Sequence, residues 1–293
     1  MTTIKKLMMA SGGGVTAKFQ GETSGYTAGG SGRTNVIDKF PFTSDANATD
    51  VGDLTVGRYG VAGSSSSTYG YASGGNSSNV IDKFSFTSDG NATDVGDLTV
   101  NASSGHGQSS STNGYNSGGY GSTYNVEIHK FSFASDGNAT DAGDLTAGRL
   151  QGTGQSSATY GYTSGGSPVG ARNVIDKFAF ASDGNATDVG DLTLNIWEGA
   201  GGQSSEDSGY VSGGYNHNII NKFSFSSDGN ATDIADITVA RYGGTGQSAT
   251  AYGYTSGGAT YNIIDKFTFA SDANATDVGD LTVGSSTAAG AQV

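Results

Sequence analysis

The chain repeats itself six times, and this periodicity limits its fold more than any other feature. The Phe of a Lys-Phe pair returns every 44 to 47 residues, at Phe40, Phe84, Phe131, Phe178, Phe223 and Phe267. A Gly-Tyr pair followed by Gly-Gly returns in step, at Tyr26, Tyr71, Tyr115, Tyr162, Tyr210 and Tyr254. Periods of this length are typical of proteins in which each unit buries its apolar surface against its neighbours.

Each repeat predicts four short strands. In the last repeat, residues 243–251 are small and suit an inner strand near an axis, and residues 252–258 form a second strand that ends in Gly-Gly. Residues 262–270 alternate apolar and polar side chains with a period of two, and residues 276–282 form an outer strand. We find no helical periodicity, so the sequence predicts an all-β protein.

Four strands in about 45 residues predict a β-propeller blade, and six such repeats predict a six-bladed β-propeller with four antiparallel strands per blade. The motifs GYTSGG, NVIDKFSF and D-x-G-D-L-T, with Gly-Arg or Ala-Arg after three repeats, resemble the kelch repeat family. That resemblance implies a propeller. The chain departs from the family where kelch repeats carry a Trp in the fourth strand, at Val51, Val95, Ala142, Val189, Ile234 and Val278.

The repeats define the expected domain boundaries. The propeller is predicted over 11–283, with blades at about 11–55, 56–99, 100–146, 147–193, 194–238 and 239–283. Residues 1–10 resemble a surplus fourth strand, and residues 284–293 read as a C-terminal tail. Both segments are expected to be an extra edge strand, a frayed end, or a tether to a neighbouring subunit.

The phrase SDGNATDVGDLT stands unchanged at 88–99 and 182–193, with close copies in the other four repeats. Asp183, Asn185 and Thr187 have the spacing of calcium ligands, but the Gly and the Glu that complete an EF-hand loop are missing. Asn-Ala-Thr is also an N-glycosylation acceptor. The favoured interpretation is a hairpin between the third and fourth strands. The phrase resembles the Asp-box of sialidase-type propellers, which implies a structural role.

Two other connections differ between repeats: the one after Gly-Gly and the one that links consecutive blades. Propeller topology places both on one face, and Arg and aromatic side chains dominate binding hot spots. We therefore predict a recognition face there; the alternative is loop drift without function. Its candidate ligand-binding residues are Arg33, Arg58, Tyr59, His106, Tyr120, Tyr124, Arg149, Arg172, Trp197, Glu198, Tyr215, His217, Arg241, Tyr242 and Tyr261.

Composition excludes several functions. The net charge of −13 argues against nucleic acid and an anionic membrane surface as partners. No Cys is present, so thiolate sites and a Cys nucleophile are excluded, and no segment is apolar for long enough to span a membrane or act as a secretory signal. With only four Glu, and His106, His129 and His217 spread over three repeats, we predict no enzyme, no catalytic residues, no metal site and no cofactor.

The near-identical repeats, rich in Ser, Thr, Gly, Asn and Tyr, resemble repeat proteins of marine bacteriophages and virion appendage proteins. This resemblance implies a protein made in the cytoplasm and carried outside on a virion. Its expected partners are a host surface glycan or protein and other virion proteins. The alternatives are a cellular kelch-like interaction scaffold and a carbohydrate-active enzyme. The sequence leaves the oligomeric state open; a virion appendage would be expected to form a homo-oligomer.

Overall fold

The computed structural model describes residues 20–168 and 173–293. These residues form 24 strands in six antiparallel sheets of four strands each, and the sheets are arranged in a ring. The protein is therefore a six-bladed β-propeller, as predicted. Apart from one 3₁₀ turn at Ser31–Arg33, no helix occurs in the described part of the chain.

Every blade uses strands in the same order, from the axis outward. The inner strands are β4 (Ala62–Ser65), β8 (His106–Ser109), β12 (Thr153–Ser156), β16 (Gly201–Ser204), β20 (Thr245–Ser248) and β24 (Ala289–Gln292). The second strands are β1 (Ser24–Ala28), β5 (Tyr69–Ser73), β9 (Asn113–Ser117), β13 (Tyr160–Ser164), β17 (Ser208–Ser212) and β21 (Tyr252–Ser256). The third strands are β2 (Val36–Pro41), β6 (Val80–Ser85), β10 (Glu127–Ser132), β14 (Val174–Ala179), β18 (Ile219–Ser224) and β22 (Ile263–Thr268). The fourth are β3 (Thr49–Asp53), β7 (Thr93–Asp97), β11 (Thr140–Asp144), β15 (Thr187–Asp191), β19 (Thr232–Asp236) and β23 (Thr276–Asp280).

The first blade is built from two distant parts of the chain. Strand β24 pairs with β1, so that Tyr26 lies opposite Ala291 and Ala28 opposite Ala289. The segment 284–293, which the sequence analysis assigned to a tail, thus supplies the inner strand that closes the ring. The reason is physical, since the first blade otherwise presents the unpaired edge of β1 to the axis. The expected extra strand at 1–10 lies outside the described residues, as does the part of the first predicted blade before residue 20.

Aromatic side chains join each blade to the next. Tyr162 stacks on Phe225 with ring centroids 4.8 Å apart, and Phe223 packs against the same ring. Equivalent Tyr and Phe side chains pack at all six interfaces, including the closing one, where Tyr254 lies 4.8 Å from Phe42. Offset and edge-on ring pairs add to the free energy of apolar burial, so the core consists of six layers between blades.

The hairpins of the repeated phrase lie on one side of the ring, which we call the lower face, and hydrogen-bond neighbouring blades to each other. The phrase lies in the hairpin between the third and fourth strands, as predicted. Asn185 Oδ1 accepts a hydrogen bond of 3.1 Å from the backbone N–H of Asp144, in the preceding blade, and the other five copies repeat this contact. Lys130 of the third blade also pairs with Asp183 of the fourth. The sameness of the phrase therefore follows from the packing of the blades.

At one position in each inner strand, the close approach of the strands around the axis leaves room only for glycine. A Cβ atom on Gly154 would lie 2.1 Å from the carbonyl oxygen of Gly107 in the preceding blade. The six equivalent glycines would all place a Cβ 1.9–2.4 Å from a neighbouring carbonyl oxygen: Gly63, Gly107, Gly154, Gly202, Gly246 and Gly290. The inner strands consequently approach one another by their backbones.

Candidate functional site

The connections between second and third strands and the linkers between blades lie together on one side of the ring, which we call the upper face. They are joined by backbone hydrogen bonds: Gly30 N–H donates to Arg58 O at 2.7 Å, and Tyr215 N–H donates to Trp197 O at 3.0 Å. Both variable connections of the sequence thus meet on a single face, as propeller topology requires.

A closed ring of backbone hydrogen bonds fixes the linkers around the axis. In each linker one residue has a left-handed φ of 54–78° and donates its N–H to the equivalent carbonyl of the preceding linker at 2.7–3.0 Å. We call this the linker ring; its members are Gly60, Ser104, Gln151, Gly199, Gly243 and Thr287. It holds the inner parts of the linkers rigid, and the side chains farther out rest on this frame.

Exposed tyrosines are concentrated on the upper face. Six of them leave 36–44 % of their surface in water, although each side chain carries an apolar ring: Tyr59, Tyr120, Tyr124, Tyr215, Tyr242 and Tyr261. All six were predicted site residues. Four aliphatic side chains that the sequence analysis missed are also exposed where the linkers begin: Val56, Val100, Leu194 and Val283. In the sequence each of the four directly follows D-L-T. An apolar residue at this solvent-facing end of the outer strand was the signal that could have identified them.

Two pairs of rings lie in direct contact. Trp197, in the linker between the fourth and fifth blades, packs against Tyr215 of the next loop with centroids 4.1 Å apart and ring planes 30° apart. Tyr120 and Tyr124 lie edge to face at 5.6 Å within one loop. Because rings that brace each other lose little conformational entropy when a ligand stacks on them, such pairs are suited to recognition.

Three predicted arginines do not belong to this surface. Arg58, Arg149 and Arg241 are buried and form ion pairs with Asp82, Asp176 and Asp265 on the third strand of the next blade. The Arg58 guanidinium also donates to the carbonyl oxygens of Gly74 and Val80 at 2.9 and 3.0 Å. Since a long polar side chain in a linker can turn inward to a buried carboxylate, its position in the sequence did not reveal its direction.

His106 is buried as well, contrary to the expected exposed position. Its Nδ1–H donates to the Ser117 carbonyl at 2.7 Å, and its Nε2 accepts the Gly152 N–H at 2.9 Å. Burial, reinforced by the positive charge of Arg149, lowers the pKa of His106 to about 3. The ring is therefore neutral at physiological pH and connects the third blade to the following linker.

The remaining predicted residues divide as follows. Arg33 is exposed and lies in the 3₁₀ turn of the first blade. Glu198 directly follows Trp197, His217 lies two residues after Tyr215, and both are half-buried. Glu198 has a left-handed φ of 61°. Arg172 lies outside the described residues. Around the fourth and fifth blades the upper face thus combines the Trp197–Tyr215 stack with a carboxylate and an imidazole.

The buried ion pairs reveal an alternation that the six-repeat pattern conceals. They occur at the interfaces of blades one and two, three and four, and five and six. At the other three interfaces the Arg position holds Ala102, Ile196 or Ser285, opposite His129, Asn221 or Asp38. The second strands alternate as well, because they begin with Tyr in even blades (Tyr69, Tyr160 and Tyr252) and with Ser or Asn in odd ones. The propeller is thus a two-blade unit repeated three times.

The lower-face tyrosines differ from those of the upper face. Tyr69, Tyr160 and Tyr252 are partly exposed, but a Lys Nζ lies over each ring, 5.1, 5.0 and 4.4 Å from the centroid. These lysines also pair with the Asp of the repeated hairpin. Their aromatic faces are thus engaged within the protein.

A partly open cavity of about 130 Å³ lies at the axis, lined by the inner strands and the linker ring. Its lining is polar and small, with Ser and Gly predominating.

Over residues 20–168 and 173–293, no group of three or more His, Cys, Asp or Glu side chains is arranged to hold a metal ion. In the same residues no helix is long and apolar enough to cross a membrane.

No protein-family model matches the chain, and no curated protein matches it either. The propeller fold is shown by the structure. The resemblances to kelch repeats and to phage virion proteins stay predictions.

Proposed function

We propose that the protein is a non-enzymatic binding module that recognises carbohydrate with the aromatic upper face. The observation that carries the proposal is the asymmetry of the two faces. The lower-face hairpins are occupied by contacts between blades, whereas the upper face presents six partly exposed tyrosines and the Trp197–Tyr215 stack. Contiguous exposed apolar surface often marks an interaction site, and aromatic side chains are enriched in binding hot spots.

Carbohydrate is the ligand class that this chemistry favours. Sugar rings present apolar C–H faces that pack on aromatic rings, while their hydroxyls need donors and acceptors at the edge of the site. Trp197 and Tyr215 supply the aromatic platform, and Glu198 and His217 supply polar groups beside it. The burial of Arg58, Arg149 and Arg241 leaves Arg33 as the one exposed arginine among the described residues of this face, so a neutral sugar fits it better than an anionic ligand.

Differences between the loops add a reason to expect specificity. The residue before the Asn that opens each third-strand segment is Thr34, Ser78, Tyr124, Arg172, His217 or Tyr261. The rigid linker ring holds the base of these connections, and their outer side chains change from blade to blade. This combination of a constant frame with variable side chains supports selection of one ligand by a few loops.

A virus particle is the proposed location. The support is the similarity of the repeats to virion repeat proteins, and the site would then engage a glycan of the host surface. Mass spectrometry of purified particles tests the location. Recovery of the chain with the particles is expected, and its absence from them would contradict this part of the proposal.

The binding proposal is tested on a glycan array with the purified protein. We expect selective binding that Trp197→Ala and Tyr215→Ala each reduce at least tenfold and that Trp197→Phe largely keeps. Tyr160→Ala, on the lower face, is the matched control and leaves binding unchanged. A blank array across host polysaccharides, with retention of a protein partner that depends on Trp197, would replace the carbohydrate proposal with the interaction scaffold.

A further inference from the structure

One buried carboxylate lacks the cation that its equivalents have. Asp38 is 3 % exposed and occupies the same position in the first blade as Asp82, Asp176 and Asp265 in the even blades. Those three carboxylates each face a buried guanidinium. The position that would supply it to Asp38 is Ser285, and no Lys or Arg of the described residues forms an ion pair with Asp38.

The third and fifth blades have neither the Arg nor the carboxylate at these positions. Opposite Ala102 stands His129, and opposite Ile196 stands Asn221, so the carboxylate is replaced where the Arg is missing. Asp38 opposite Ser285 is the exception within the chain. A charge in such surroundings is costly unless it is compensated.

The hydrogen bonds of Asp38 are those of its paired equivalents without the Arg. Thr282 donates from N–H and Oγ1 to the two carboxylate oxygens at 2.9 and 2.6 Å. Thr55 does the same to Asp82 at 3.2 and 2.7 Å. The Thr282 donors and the backbone N–H of Val283 do not neutralise the charge, and the second blade adds Arg58 to the corresponding Thr55 donors.

The backbone around Asp38 repeats the backbone that receives the guanidinium. Arg58 donates to the carbonyl oxygens of Gly74, Val80 and Ala72 at 2.9, 3.0 and 3.4 Å. Asp38 lies opposite Thr27 in the register in which Asp82 lies opposite Ala72. The equivalent oxygens of the first blade therefore belong to Gly29, Val36 and Thr27.

Ser285 takes over only one of these contacts. Its Oγ donates to Gly29 O at 2.9 Å, the carbonyl equivalent to Gly74 O. The Ser side chain ends at this hydroxyl, so it supplies neither a positive charge nor a donor to the carboxylate. A carboxylate, backbone carbonyls and a hydroxyl are left around the position that the guanidinium fills in even blades.

We propose that this position binds an alkali-metal cation, held by the Asp38 carboxylate with the carbonyl oxygens of Thr27, Gly29 and Val36. The donors are hard oxygens, and carbonyl oxygens can replace the hydration shell of such ions. One carboxylate balances one positive charge, as it does in the three Arg pairs. Calcium sites, in contrast, generally collect several carboxylates. The cation completes the closing interface, where β24 joins the ring, and this inference does not depend on the proposed carbohydrate site.

The test uses the full chain and thermal unfolding at constant ionic strength, with tetramethylammonium chloride replaced stepwise by sodium or potassium chloride. We expect the Tm to rise by about 2 °C or more and to saturate with one of the two ions. Asp38→Asn should abolish this dependence. That variant is compatible with folding because Asn221 occupies the equivalent position in the fifth blade.

Two further variants separate the site from general salt effects. Ser285→Arg recreates the Gly-Arg sequence of the first linker and should raise the Tm in tetramethylammonium while it abolishes the response to sodium or potassium. Asp82→Asn, at a site that already has its Arg, should lower the Tm equally in all media and keep the response. If the wild-type Tm is the same in every salt, or if Asp38→Asn responds like the wild type, the proposal is wrong.

Discussion

Arg58 Nη2 lies 2.6 Å from Asp82 Oδ2, and both side chains are buried between the first and second blades. The fourth and fifth blades meet at the same position through Ile196 and Asn221, without charge. The same position between blades is therefore occupied by an ion pair at one interface and by two uncharged side chains at another.

This relationship predicts a non-additive pair of substitutions. Arg58→Ile leaves a buried carboxylate without its cation, and Asp82→Asn leaves a buried guanidinium without its anion. Each should lower the free energy of unfolding by about 3–5 kcal/mol. The double variant copies the Ile196–Asn221 pair and should lose clearly less than the sum, as measured by urea unfolding. Additive losses would show that the two charges do not act as a pair.

The glycines of the axis give a second prediction. Gly154→Ala places a Cβ 2.1 Å from a backbone oxygen of the neighbouring blade, so the inner strands must separate. We expect a loss of about 2 kcal/mol or more, or failure to fold. Gly184→Ala is the control: a Cβ there meets nothing within 4 Å, and Ala46 and Ala273 stand at the equivalent positions. Its stability should change by less than about 0.5 kcal/mol. Equal effects of the two substitutions would contradict the close approach of the strands.

Protonation of His106 is expected to account for part of the loss of stability in acid. The pKa of His106 is about 3 in the folded protein against 6.5 as its ordinary value. Between these values the unfolded chain binds a proton that the folded protein does not, so the stabilisation is complete above pH 6.5 and is lost as the pH falls towards 3. The slope contributed by one proton is about 1.4 kcal/mol per pH unit.

The His106→Thr variant isolates this contribution, because Thr153 and Thr245 occupy the equivalent positions in two other blades. It should be less stable than the wild type at pH 7, and the difference should shrink as the pH is lowered to 4. Denaturant titrations at several pH values measure it, with His217→Asn as the control at a half-buried imidazole. A difference that stays constant with pH would mean that His106 titrates normally.

The contacts of the repeated hairpin predict that it stabilises the fold without binding calcium. Asn185→Ala removes the acceptor for the Asp144 N–H and should cost about 1 kcal/mol. Asp183→Ala removes only an exposed partner of Lys130 and should cost about 1 kcal/mol or less. Millimolar calcium should leave the Tm of the wild type and of both variants unchanged. If calcium raises the wild-type Tm and Asn185→Ala prevents the increase, the hairpin is a calcium site.

The fold was predictable from the sequence because its restraints are local and repeated. Each blade needs the same alternating third strand and the same hairpin, and the period of Phe178 and its equivalents reports this directly. The closing strand was missed because the first blade was assigned to the continuous segment 11–55, so Ala289–Gln292 was left over although it begins with the same Ala-Gly pair as Ala62–Ser65.

Side-chain direction was the less predictable part of the site. The tyrosines of the upper face could be placed because a loop of a propeller reaches solvent, and a large ring there has little room to turn inward. Arg149 lies in the same linkers yet pairs inward with Asp176, a residue of the next blade. Only a comparison of linker residues with the third strand of the following repeat could have shown that the two positions vary together.

The closing strand also bears on the order in which the molecule folds. Thr23 and Val293 are hydrogen-bonded although they are 270 residues apart in the chain. Five blades consist of strands that follow one another directly, so they can form from local hairpins. The first blade must wait until the far strand arrives and a very long loop closes, which is the slow and entropically expensive step of folding. Until then no strand of the described residues pairs with the inner side of β1, and such an unpaired edge is open to the same strand of another molecule.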